Sequence, residues 1–124
     1  MIILALETTG STCGAAIAEC VDGRMTLQGI SEIHEENVHD ERLATLTQAV
    51  LESTEVSIEQ IDVVAVSGGP GSFTGTRIGV SFAKGLTASG TPSLAVIDTS
   101  EALAQASVEV ATAAGLKEIL VLIP

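Results

Sequence analysis

The stretch MIILALETTGSTCGAAIAECVDGRMTLQGISEI, residues 1–33, holds three runs suited to extended chain and two breaks suited to turning it. Residues 1–7 are apolar up to a single carboxylate, Glu7, and residues 13–20 are apolar again and rich in small side chains. Short uninterrupted apolar runs of this kind read as buried strands. Between them Thr8-Thr9-Gly10-Ser11-Thr12 forms a turn, and Asp22-Gly23 supplies the pair that accepts the positive φ of a tight hairpin before a third strand over residues 24–33. Three strands joined by two short links make an antiparallel meander, which excludes the alternating strand and helix that open a dinucleotide-binding fold.

Past the meander the apolar period becomes helical over residues 38–53, with Leu43, Ala44, Leu46, Val50 and Leu51 on one side. Ser57 caps a short turn, residues 61–67 form a fourth strand, and the loop Gly68-Gly69-Pro70-Gly71-Ser72-Phe73-Thr74-Gly75 follows at once. A helix over 74–89, a strand over 93–97 and an Ala-rich helix over 99–113, closed by Gly115, complete the order βββαβαβα. This is an α/β, ribonuclease-H-like arrangement: a mixed five-stranded sheet, three antiparallel strands followed by two crossover-linked parallel ones, with helices on both faces. Residues 117–123 are apolar on both faces and read as one more strand. The expected organisation is therefore a domain over residues 1–115, with residues 116–124 as the first strand of a second, truncated one.

Composition narrows the function classes. Aromatic residues are 2 % of the chain against 46 % hydrophobic overall, so the core must be built from Ala, Val, Ile and Leu lying close to glycine. A formal charge of −11 repels phosphate backbones, so this chain is not expected to grip RNA by itself. The apolar run at residues 1–6 is far short of the roughly 18 residues of a membrane span and no basic segment precedes it, which predicts a cytoplasmic location without membrane contact. Cys13 and Cys20, seven positions apart in one strand, face opposite sides about 23 Å from one another, too far for a disulfide. Together with His34 and His39 they make no zinc pattern.

Two places carry possible chemistry. Glu7-Thr8-Thr9 ends the first strand, and Gly68, Gly69 and Gly71 lie between the fourth strand and a helix, where backbone N–H groups and the helix dipole favour an anion. The loop lacks G-x-x-x-x-G-K-[ST] and has one residue too many for the dinucleotide fingerprint, so its glycines serve equally to turn the chain and seat the helix. A carboxylate at Glu7 suits magnesium, yet no second acid stands at a motif-like spacing, and neither a metal nor a cofactor is expected. In the helix over 74–89, Ile78, Phe82 and Leu86 form one apolar stripe, with Val80, Ala83 and Thr87 nearly opposite. A helix apolar on two sides is covered twice, and Gly75, Gly79 and Gly85 admit a close neighbour, either the helix over 38–53 or another subunit.

The segments Ile2-Ile3-Leu4-Ala5-Leu6-Glu7-Thr8-Thr9, Gly68 through Gly79, Ala83-Lys84-Gly85-Leu86, Val38-His39-Asp40-Glu41-Arg42-Leu43 and Asp98-Thr99-Ser100-Glu101-Ala102-Leu103-Ala104 closely resemble the TsaB (YeaZ) family. Departures are Glu7, where that family usually has Asp, and the end of the chain at the strand that would open the family's second domain. The resemblance implies an actin-like ATPase fold and a non-catalytic scaffold in the synthesis of threonylcarbamoyladenosine beside the transfer RNA anticodon. Its implied partners are a TsaD-like catalytic subunit and a TsaE-like ATPase, with transfer RNA met only through the complex and a homodimer formed by the chain alone. It also implies that the enzymatic paralogue's two metal-binding histidines fall in the segment that here carries Thr99 and Leu103, which leaves a metalloprotease reading without ligands. On this reading the partner surface comprises His39, Arg42, Leu43, Leu46, Val50, Ile78, Phe82 and Gly85. The competing reading is an actin-like small-molecule kinase fragment that binds ATP and magnesium around Glu7, Thr8, Thr9, Gly68, Gly69 and Gly71.

Overall fold

A computed structural model describes residues 1–34 and 39–123, with 39–41 described as backbone only. The meander forms as expected: β1 (Ile2–Glu7), β2 (Thr12–Val21) and β3 (Arg24–His34) are antiparallel neighbours. Asp22 and Gly23 take φ of 50° and 75° at the hairpin between β2 and β3, the two consecutive positive values a two-residue turn of this hand needs. β4 (Val63–Ser67) joins β1 in parallel and β5 (Ser93–Ile97) joins β4 in parallel, giving the sheet order β3-β2-β1-β4-β5 with β1 at its centre. Helices α1 (His39–Thr54), α2 (Phe73–Leu86) and α3 (Thr99–Ala113) occupy the crossovers and the end, and a short 3-10 turn covers Ile58–Gln60.

Alternation along the strands sorts the side chains. Leu4, Leu6, Cys13, Ala15, Ile17, Val64 and Val66 point to one face, and against them α1 lays Leu43, Leu46 and Val50 while α2 lays Ala83. Each fully buried Leu, Ile or Val contributes about 1.5–3 kcal/mol relative to exposure, so this one face carries most of the fold's apolar stabilisation. Both α1 and α2 lie here and touch one another.

The other face is covered less closely. α3 makes little contact with the sheet, and only Thr99 and Ala111 of its residues are buried. Its large apolar side chains are Leu103, Val108 and Val110. Leu103 and Val110 share a side, but Val108 falls well round the helix, so no continuous stripe forms to hold α3 down. The second face of the sheet consequently carries no packed helix among the described residues.

The strand expected over 117–123 is absent too. Those residues lie outside any helix or strand, with Leu120 84 % and Leu122 80 % exposed. A strand exists only by pairing, and neither sheet edge takes this segment; Leu116 is instead tied back to α3 by its N–H to the Ala111 carbonyl at 2.9 Å.

Cys13 sits fully buried in the core, where burial first and the nearby Glu7 carboxylate second push its thiol above the ordinary range, while Cys20 is half-buried. Because the thiolate is the reactive form, a raised pKa leaves less of it at any pH below that value. Alkylation of the native chain near neutral pH, followed by mass spectrometry, is expected to label Cys20 first and Cys13 only on unfolding.

Candidate functional site

Two loops meet beyond the carboxyl ends of the parallel strands β1 and β4, the place where open α/β sheets gather ligands. The turn after β1 is organised by Glu7. Its Oε1 accepts the Thr9 N–H at 2.5 Å and the Thr9 hydroxyl at 2.6 Å, and its Oε2 accepts the Ser67 hydroxyl. The parallel register sets Leu6 beside Val66, which brings Ser67 next to Glu7. One carboxylate therefore ties the end of β1, its following turn and the end of β4 through charge-assisted hydrogen bonds.

The glycine-rich loop is closed in the same manner. The Gly68 N–H donates to the Ile97 carbonyl at 2.7 Å, the Thr99 N–H donates to the Gly69 carbonyl at 2.8 Å, and the Ser72 N–H donates to the Thr9 carbonyl at 2.7 Å. Ser72 caps α2 by accepting the Gly75 N–H at 3.1 Å. Thr8 is fully buried, with its hydroxyl donated to the Gly75 carbonyl at 2.7 Å. A Cβ at Gly75 would stand 2.0 Å from the Thr8 carbonyl oxygen, and one at Gly79 would stand 2.3 Å from the Thr8 hydroxyl, so α2 reaches the sheet only because both positions are glycine.

Of the six residues singled out for phosphate contact, Glu7, Thr9 and Gly71 line a cleft of about 310 Å³, shared with Thr12, Thr99 and Leu103. Thr8 is removed from that role by burial. Gly68 and Gly69 direct the N–H and carbonyl just described into β5 and the start of α3. Four N–H groups of these loops, those of Thr9, Gly68, Ser72 and Gly75, are engaged by the chain itself. Ser67 escaped the sequence reading, although aligning β1 and β4 in parallel at their carboxyl ends would have placed it beside Glu7.

The second candidate surface lies on α1 and α2. Leu43 and Val50 are 1 % and 0 % exposed and Leu46 only 9 %, all packed into this chain's own core, so they cannot meet a partner while the domain is folded; their assignment to the interface is corrected. The side chain of His39 lies outside the described residues. Arg42 and Gly85 are exposed, a Cβ at Gly85 would meet nothing within 4 Å, and Ile78 and Phe82 are half-buried, packed against the core along the flank of α2. Next to them Phe73, 75 % exposed, carries the Arg77 guanidinium 5.4 Å above its ring. Thr74, Arg77, Ile78 and Ser81 frame a shallow recess of about 260 Å³ there. Phe73 and Arg77 were not assigned to the partner surface from the sequence; an aromatic in the first turn of a helix, four residues before a cation, was the available signal.

Residues 26–122 match the family described as TsaD: tRNA N6-adenosine threonylcarbamoyltransferase. The chain is 31 % identical over 109 residues to the tRNA threonylcarbamoyladenosine biosynthesis protein TsaB of Haemophilus influenzae, covering 88 % of this chain and 44 % of that protein. With the TsaB of Escherichia coli K12 it shares 36 % identity over 86 residues, 69 % of this chain and 35 % of the relative. Among solved structures, YeaZ from Pseudomonas aeruginosa superposes with a TM-score of 0.75 at 26 % identity, covering 87 % of this chain and 48 % of the other. The chain thus spans less than half the length of these relatives.

The closed loops yield a joint prediction. Glu7→Gln, which loses one charged acceptor while three donors still point at it, is expected to destabilise the fold by about 1–3 kcal/mol in a urea titration. Titration of the unaltered chain with ATP and magnesium in a calorimeter is expected to give no heat of binding at micromolar nucleotide.

Proposed function

The chain belongs to the tRNA N6-adenosine threonylcarbamoyltransferase family, on its TsaB/YeaZ side, and from that premise we propose that it acts as a non-catalytic subunit in making threonylcarbamoyladenosine on transfer RNA. One observation carries the division of labour: the Glu7 carboxylate and the N–H groups of Thr9, Gly68, Ser72 and Gly75 at the strand ends are engaged internally, while the outer side of α2 is open and carries Phe73 and Arg77. A phosphate arriving at the first place would have to displace charge-assisted bonds that hold β1 to β4. A protein arriving at the second meets Phe73 and Arg77 in the open, with the half-buried edges of Ile78 and Phe82 beside them.

In this reading the partner on α1 and α2 is a TsaD-like catalytic subunit. A TsaE-like ATPase and transfer RNA join through that assembly, which suits a chain whose charge of −11 is repelled by RNA. Arg42, Ile78, Phe82 and Gly85 remain from the surface read in the sequence, and Phe73 with Arg77 are added to it. Aromatic and Arg side chains are the commonest anchors of protein interfaces, which favours Phe73, Phe82 and Arg77 as the residues that dominate affinity. Location in the cytoplasm follows from the proposed substrate, and no described helix is long and apolar enough to cross a membrane.

The deciding experiment mixes the chain with the catalytic subunit of the same organism and follows the complex by size-exclusion chromatography with light scattering. Phe82→Glu combined with Arg77→Glu is expected to weaken the complex at least tenfold, whereas Glu59→Lys, on the exposed 3-10 turn, leaves it unchanged. Equal binding by all three proteins would remove α2 from the interface.

A further inference from the structure

Charge is unevenly placed along this chain. Against a formal total of −11, residues 63–97 hold Arg77 and Lys84 and not one Asp or Glu, and both cations belong to α2. Both are exposed, and seven residues apart they lie two turns along one side of the helix, about 10 Å from each other at about 1.5 Å per residue. Thr74 and Ser81 complete that side, so positions 74, 77, 81 and 84 draw a stripe without a carboxylate, opposite the buried Gly75, Gly79 and Ala83. The stability of α2 alone does not explain this composition. Its first turn holds no acidic residue, although a carboxylate there would meet the positive end of the helix dipole, and one four positions from either cation would gain an ion pair. Neither Arg77 nor Lys84 pairs with a carboxylate among the described residues, and the Arg77 guanidinium rests on Phe73 instead.

We propose that this stripe receives an acidic surface of the partner protein, with two carboxylates about 10 Å apart to match Arg77 and Lys84. The proposal rests on the reading of α2 as the meeting place with the catalytic subunit, and adds the chemistry that subunit must present there. A chain of −11 repels an acidic protein at long range, so such a partner can land only where the local sign is reversed. No other basic residue offers that. Arg24 stands two positions from Asp22, Arg42 is next to Glu41 and Lys117 is next to Glu118, whereas the cations of α2 have no acid near them in sequence. Held 5.4 Å above the Phe73 ring, the Arg77 guanidinium loses less freedom when it pairs, and its planar fork suits a carboxylate. RNA is the weaker match, because its phosphates extend well beyond two cations and meet the surrounding carboxylates.

Calorimetric titration of the chain with the catalytic subunit of the same organism, at about 50 and about 500 mM NaCl, separates charge from shape, because the Debye length falls from about 14 Å to about 4 Å. Arg77→Gln with Lys84→Gln, both at exposed positions and hence compatible with folding, is expected to raise the dissociation constant about tenfold at the lower salt and less than about threefold at the higher. Arg77→Lys, which keeps the charge, is expected to stay within about threefold of the unaltered chain at both. Ser81→Glu, which sets a carboxylate between the cations, is expected to weaken binding more at the lower salt, with circular dichroism confirming the fold of each variant. An equal loss at both salts, a loss in Arg77→Lys as large as in the double variant, or tighter binding by the double variant would overturn the acidic surface while leaving the catalytic subunit as partner. Transfer RNA retained by the chain alone and released by the double variant would assign the stripe to phosphate and overturn the proposal too. No complex of the unaltered chain at either salt would overturn the reading of function, and the proposal with it.

Discussion

Helix α2 approaches the end of β1 until no Cβ fits between them, and this contact governs the rest of the domain. Gly75 and Gly79 face the Thr8 carbonyl and hydroxyl, and the Thr8 hydroxyl is donated to the Gly75 carbonyl. With α2 fixed at that distance, the loop before it must return over the turn at Thr9, where the Ser72 N–H meets the Thr9 carbonyl. Glu7 then has a single arrangement in which both oxygens are satisfied, between Thr9 and Ser67. A larger residue at either glycine would lift α2, separate the loops and leave a half-buried carboxylate without partners, a loss more costly than any one hydrogen bond.

The two sides of the domain differ because of how α2 is used. Its inner side is consumed by Thr8, Val66 and the core, while its outer side keeps Phe73 and Arg77 stacked in the open. The strand-end loops are rigid by internal bonding. The outer helix surface has few internal bonds to lose, which is the energetic condition for adding a partner without dismantling the fold.

Much of this was legible in the sequence because local signals agreed with global ones. The Asp22-Gly23 pair, the apolar runs of β1 and β2 and the apolar spacing of α1 each point to the observed element, and the strand order follows from short links in the meander and helical crossovers after it. Two readings met the structure differently, for physical reasons. Leu43, Leu46 and Val50 were assigned to a partner because periodicity reports an apolar side without saying what covers it. Residues 117–123 have strand composition but no strand, since pairing is a property of neighbours and not of the segment.

The candidate site was legible as a location but not as a function, and Glu7 shows why. A carboxylate at the end of a strand before a threonine turn reads equally well as a metal ligand or as an acceptor for the chain's own donors, since both use the same two oxygens. What separates them is the register of β1 against β4, which delivers the Ser67 hydroxyl to Oε2 while the turn delivers Thr9 to Oε1. Burial of Thr8 and the close seat of α2 keep those donors in place. With its oxygens so occupied, Glu7 fastens the turn after β1 to the end of β4, which supports the proposal that this domain binds a partner.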